Sequence, residues 1–200
     1  MGLEIEYIDG QTPLDEDEKD DLLIDTIATR AELDEFEQQN IEEAIQWTLG
    51  KSFSIDTIFT DDFIRMVHKR MYGNVWKWAG EFRKTNKNIG SDKWQISAEL
   101  RSLLGDVKFW CQNNTYSPDE IALRFKHRLV SIHCFPNGNG RHSRLMADLV
   151  IEKIFKSAVF SWGAINENEN SKTDTRVNYL RALKSADSGD YSYLLVFARS

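Results

Sequence analysis

The chain has 200 residues and a formal charge of −7; 41% of it is apolar and 12% aromatic, with three prolines and eleven glycines. That is enough for one domain with a packed core, and it excludes low-complexity disorder. Two cysteines, Cys111 and Cys134, exclude a disulfide framework. The opening MGLEIEYIDG has neither a basic n-region nor an apolar h-region, and no apolar run approaches the ~18 residues of a membrane span, so a cytoplasmic protein is expected.

The charge is split. Residues 1–37 hold fourteen acids against Lys19 and Arg30, a net of −12, and residues 38–200 carry +5. The division expected is an acidic arm over 1–25 and one domain over 26–200. The basic body could accept an anion, but +5 without a basic run gives no reason to expect direct nucleic-acid binding.

In chain order, residues 1–25 show no sustained periodicity and read as an arm that lies on the body or stays loose. A helix is predicted over about 30–49, capped by Thr29 and ended by Gly50, with Leu33, Phe36, Ile41, Ala44, Ile45 and Leu49 at helical spacing. A second follows Thr60 over about 61–72, with Phe63, Ile64, Val67 and Met71 on its apolar face. Residues 74–96 break the period. KTNKNIGSD, between Phe82 and Trp94, has turn chemistry and predicts a hairpin of two short strands, with Trp76 and Trp78 as anchors.

A helix over about 98–112 is predicted from a Ser97 cap. Ser117-Pro118-Asp119-Glu120 then combines an N-cap, a first-position proline and a capping-box glutamate, opening a helix to about His133. Further helices are predicted over about 140–155, 175–185 and 190–198. The fold class is therefore all-α, a helical bundle with one short β-hairpin.

Between the helices ending at His133 and starting near Gly140, the chain reads SIHCFPNGNGRHSRLMADL. Gly138-Asn139-Gly140 makes a tight turn with inward N–H groups, and the helix behind it adds the positive end of its dipole. Arg141 and Arg144, three apart, project from one side of the first turn. This is an anion cradle suited to a polyphosphate, with the His133 imidazole beside it as a general base. The plainer alternative is a turn, two solvated arginines and a histidine cap. His68 and His127 read as structural, His142 as solvated or near the phosphate, and Cys134 as a small buried hydrophobe.

HCFPNGNGRHSR (133–144) resembles the Fic-family signature His-x-Phe-x-(Asp/Glu)-Gly-Asn-Gly-Arg-x-x-Arg at every fixed position except Asn137. WAGEFRKTNKNIG (78–90) is similar to the segment leading into that family's flap, and YLRALKSADSGDYSYLLVF (179–197) to its closing helices. The resemblance covers about residues 25–198 and is greatest to the branch called mobile mystery protein B, which accompanies a helix-turn-helix partner.

The resemblance implies transfer of AMP from ATP to a Tyr, Ser or Thr hydroxyl of a target protein. His133 would deprotonate that hydroxyl, and Phe135 would be buried and hold the loop. Asn137, Gly138, Asn139 and Gly140 would lie along the phosphates, with Arg141 and Arg144 neutralising the pyrophosphate end. The flap residues Thr85, Asn86, Lys87, Asn88 and Ile89 would dock the target as an added strand. A helix-turn-helix partner or antitoxin-like regulator is implied. Mg²⁺ or Mn²⁺ would accompany ATP, and Asn137 stands where the family has an acidic metal ligand. Three outcomes are open there: weaker metal binding supported by ATP's own phosphates, a changed metal preference, or a nucleotide or partner binder without turnover. Phosphoryl transfer of the Doc type is a further alternative, against which stands Gly140, a lysine in those toxins.

Many members are restrained by a glutamate in a (Ser/Thr)-x-x-x-Glu-(Gly/Asn) helix. Here only Thr12…Glu16 has that interval, and Asp17 follows it. The expectation is control by a partner or by a nonstandard glutamate in the arm, with the arm, or the acidic helix starting near residue 30, competing electrostatically with ATP for the arginines; the plainer alternative is a solvated face or docking tail.

Overall fold

The computed structural model describes residues 12–164 and 172–200. Its elements are α1 (Glu16–Lys19), α2 (Arg30–Thr48), α3 (Ile55–Ile58), α4 (Asp61–Tyr72), α5 (Ile96–Asn113), α6 (Pro118–Ile132), α7 (Asn139–Leu149), α8 (Lys172–Asp187) and α9 (Ser192–Arg199). Helix α7 widens into a π-helical turn over Val150–Ile154. None of the described helices is long and apolar enough to cross a membrane.

Local signals set most helix starts. The Thr29 hydroxyl accepts from Glu32 N–H while the Glu32 carboxylate accepts from Thr29 N–H, a reciprocal cap worth about 1 kcal/mol. Thr60 caps α4 through Phe63 N–H, and Ser117 caps α6 through Glu120 N–H. Two start signals act differently from expectation. Ser97 lies inside α5, whose N-cap is Gln95. The Glu120 side chain does not close a box on Ser117; it pairs with Arg124 one turn on, where a full opposite charge is the stronger partner.

Helix α6 is the centre of the core. Ile121, Leu123, Phe125 and Leu129 are buried along it, and it packs on α5 and α7, while α2 packs on α4 and α8 on α9. Leu33, Ile41 and Ala44 of α2 are buried, but Phe36, Ile45 and Leu49 are exposed, so the buried stripe is narrower than the apolar spacing suggests. The stripe also takes in Glu37 and Asn40, whose polar groups find partners inside.

The predicted hairpin is absent among the described residues. Residues 83–95 form turns without paired strands. The reason is that side chains take the main-chain groups a ladder would use. Arg83 donates to the carbonyls of Thr85 and Ser91, and Asn86 accepts from Lys93 N–H while donating to Asp92. The isolated bridge found joins Leu22 of the arm to Trp76.

From Thr12 onward the acidic arm lies on the body; residues 1–11 fall outside the described residues. Leu14 and Ile27 are buried, Leu23 N–H donates to Val75 and Lys77 N–H to Asp21. Trp76 and Trp78 stack with centroids 5.0 Å apart, and Trp78 Nε1 donates to the Glu18 carbonyl, so both serve as the expected anchors.

Candidate active site

Helix α6 ends at His133, whose left-handed backbone (φ 57°) turns the chain sharply into the loop. Phe135 is fully buried and stacks on His68 with centroids 3.7 Å apart. His68 is itself fixed at both ring nitrogens: Nδ1 accepts from Gly80 N–H, and Nε2 contacts the Asn137 carbonyl at 3.1 Å. Burial holds His68 well below the usual histidine range, and the nearby His142 adds to the fall.

The Asn139 side chain staples the loop from within, accepting from Phe135 N–H and donating to Phe135 O. It is buried, so a phosphate would meet only its backbone. Gly138 has φ 77°, and a Cβ there would come within 2.5 Å of the Tyr72 ring. The first bond of α7 runs from His142 N–H to Gly138 O, and the N–H groups ahead of it belong to the helix N-terminus. His142 is not at the surface: its Nε2 contacts Ile64 O, and burial pushes its pKa down to about 3.

His133 is buried. Desolvation, reinforced by the Arg83 cation and only partly offset by the Val130 carbonyl, lowers its pKa to about 4. The ring is therefore neutral across the physiological range, the state a general base requires. Its Nε2 lies 3.1 Å from the hydroxyl of Thr12, which is buried as well.

Arg141 and Arg144 diverge. Arg141 pairs with the buried Glu37 carboxylate of α2 at 2.7 Å, and its guanidinium lies 5.2 Å from the Tyr72 ring centroid. Arg144 lies 5.7 Å from the Tyr179 ring centroid on α8. The carboxylate on the cationic site therefore comes from the acidic helix. In the arm, Asp15 and Glu18 meet the flap instead, while Glu16 pairs with Lys19 and Asp21 with Lys77.

On the flap, Lys87 is nearly covered and reaches Asp15 at 2.9 Å and Glu18 at 2.5 Å. Thr85 donates to Asp15 at 2.6 Å, and this bond, with Lys87, lowers the Asp15 pKa. Asn86 is spent within the turn, while Asn88 and Ile89 are exposed.

Asn137 donates through Nδ2 to the Thr12 carbonyl and accepts through Oδ1 from Gly138 N–H. Both ends of the amide are occupied, and no group of three or more His, Cys, Asp or Glu side chains gathers as a metal site among the described residues. The residues present do not fit a protein-held cation in this arrangement.

Three further residues belong to the site. Arg83 is buried and donates to His133 O as well as to two flap carbonyls, tying flap to loop. In the sequence it lies inside 78–90 with nothing to mark it from Lys84. Glu37 is one of fourteen acids, and Thr12 is notable only for its distance from Glu16. Cys134 is buried and its thiol is pushed up to about 12 by desolvation, which fits a packing residue.

Residues 58–151 match the model of the Fic/DOC family. The chain is 30% identical over 128 residues to Protein adenylyltransferase Fic of Drosophila grimshawi, covering 62% of this chain and 24% of that protein. It is 29% identical over 140 residues to Protein adenylyltransferase fic-1 of Caenorhabditis elegans, covering 68% and 25%. It thus spans about a quarter of the length of these curated relatives. Among solved structures, BepC of Bartonella tribocorum with bound AMPPNP aligns at a TM-score of 0.67 and 17% identity, covering 92% of this chain and 97% of that one. Fic-1 (residues 134–508) of C. elegans aligns at 0.59 and 23%, covering 80% and 46%. These structural likenesses show the fold.

Proposed function

Because the chain belongs to the Fic/DOC family over residues 58–151, we propose that it is a protein adenylyltransferase, moving AMP from ATP to a hydroxyl of a target protein. The observation that carries this reading is the neutral His133 ring, whose Nε2 holds a hydroxyl at 3.1 Å beside the helix start at Gly138–Arg141. A nucleophile on its base, next to an anion-binding helix terminus, is what transfer to an alcohol requires.

His133 takes the proton from the acceptor hydroxyl. The backbone of Gly138, Asn139 and Gly140 faces the phosphates, and Arg141 and Arg144 balance charge on the departing pyrophosphate once Glu37 yields Arg141. Phosphoryl-type transfer is mostly positioning and electrostatic stabilisation, which these groups supply. Mg²⁺ or Mn²⁺, as a companion of ATP, would be held by ATP's own phosphates and would supply charge neutralisation there, with no step resting on Asn137 as a ligand. Thr85–Ile89 form the edge along which a target lies, and a helix-turn-helix or antitoxin-like partner is a candidate regulator. The names of the curated relatives support the transferase class, and nucleotide in two solved relatives, AMPPNP in BepC and ADP in a Fic domain of Bartonella quintana, supports ATP as co-substrate.

A second reading, a nucleotide or partner binder without turnover, is favoured by the occupied amide of Asn137. Incubation with lysate and ATP labelled at the α or γ position separates the cases. Transfer of α-label that disappears in His133→Ala is the expected result. Transfer of γ-label supports Doc-type phosphorylation, and binding without transfer supports the binder.

A further inference from the structure

The hydroxyl on the base belongs to the chain itself. Thr12 Oγ1 lies 3.1 Å from His133 Nε2, although the two residues are 121 positions apart. The segment behind it follows the flap expected to receive a target. Asp15 accepts from Thr85 and pairs with Lys87, Glu18 pairs with Lys87, and Leu14 is buried. From the loop side, Asn137 Nδ2 holds the Thr12 carbonyl. An acidic residue at position 137 would repel that carbonyl, whereas the amide found here binds it.

We propose that Thr12 is a self-modification site, accepting AMP from ATP bound in the same molecule; this rests on the adenylyltransferase reading above. With the ring in the tautomer that leaves Nε2 bare, the Thr12 hydroxyl donates to it and passes its proton there. Thr12 Oγ1 forms a bond to the α-phosphorus, and the bond from that phosphorus to the bridging oxygen of the β-phosphate breaks. Pyrophosphate leaves with the electron pair, and Thr12 carries AMP as a phosphodiester. Attachment of acceptor and base to one chain makes the step unimolecular in the ATP complex, with the acceptor already at hydrogen-bond distance.

The test uses the purified 200-residue chain with α-labelled ATP and Mg²⁺, with lysate labelling in parallel and the modified residue mapped by peptide mass spectrometry. The expected result is one AMP per chain on Thr12, at a rate per molecule unchanged by dilution. Labelling is lost in Thr12→Val and kept in Thr12→Ser. When His133→Ala and Thr12→Val chains are mixed, the intact Thr12 of the former stays unlabelled. Label on another residue, or a rate proportional to chain concentration, overturns the proposal. Label in lysate proteins but none on Thr12 overturns it while leaving the activity standing. ATP binding with no label on either overturns both.

Discussion

The carboxylate of Glu37 and the guanidinium of Arg141 meet at 2.7 Å across 104 residues of sequence, joining the acidic helix α2 to the start of α7. Glu37 also accepts from Trp76 Nε1 through its other oxygen. One buried acid therefore balances the Arg141 cation, and under the proposed function ATP competes with it.

Glu37→Gln keeps an acceptor for Trp76 and removes the charge from Arg141. ATP affinity, measured by calorimetry, is expected to rise about tenfold, or ~1.4 kcal/mol. The melting temperature is expected to fall, because a buried partner of Arg141 is lost. Unchanged affinity would show that Arg141 does not meet the nucleotide.

Gly138 and Gly140 should respond oppositely to alanine. At Gly138 a Cβ meets the Tyr72 ring at 2.5 Å with φ at 77°, so Gly138→Ala should destabilise. At Gly140 nothing lies within 4 Å of the added carbon and the residue is helical, so Gly140→Ala should stabilise by about 0.5–1 kcal/mol. The same methyl would occupy space in the proposed phosphate cradle, so ATP binding should weaken in the more stable variant. Thermal melts paired with ATP titrations check both.

Asn137→Asp places a carboxylate against the Thr12 carbonyl, now 3.1 Å from Nδ2. The arm should loosen, seen as faster proteolysis ahead of residue 20. Mg²⁺-dependent labelling of lysate should rise, since the metal gains a charged oxygen. Slower labelling would mean that the amide is the functional residue.

Arg83→Lys should not preserve function. The guanidinium satisfies the carbonyls of His133, Thr85 and Ser91 together, and an ammonium on a shorter reach cannot reproduce that fork. Leaving buried carbonyls unpaired costs on the order of 1–3 kcal/mol each, so a lower melting temperature and loss of label transfer are expected together.

Burial and the Arg83 charge lower the His133 pKa to about 4, against about 6.5 for a histidine in water. With the arm docked, the ring binds fewer protons between those values than an uncovered ring does. Docking is then complete above pH 6.5 and weakens as pH falls from 6.5 toward 4. Amide exchange over residues 14–19, corrected for intrinsic rates, is expected to be faster at pH 5 than at pH 7.5. Equal protection would place the desolvation in the body of the domain rather than under the arm.

Short-range signals carried much of the fold. Thr60 and Tyr72 bound α4 as expected because a hydroxyl cap, first-turn acids and a following glycine act within one turn of the helix. Ser117-Pro118 opened α6 for the same reason, and the His133–Arg144 run showed its histidine, turn and arginines directly in the sequence. The flap and α2 did not yield to that reading. Their outcome depended on partners distant in the chain: Arg83 taking carbonyls from loop and flap, and Glu37 drawn inward by Trp76 and Arg141.

The arithmetic of fourteen acids before residue 38 established by itself that this chain begins anionic and continues cationic. Only the tertiary structure decided where those charges go. Asp15 and Glu18 settle on Lys87 of the flap, Glu37 settles on Arg141, and Thr12 is carried onto His133. Charge counts are additive along a sequence, but a desolvated ion pair depends on distance and burial, and those exist only once the helices have packed.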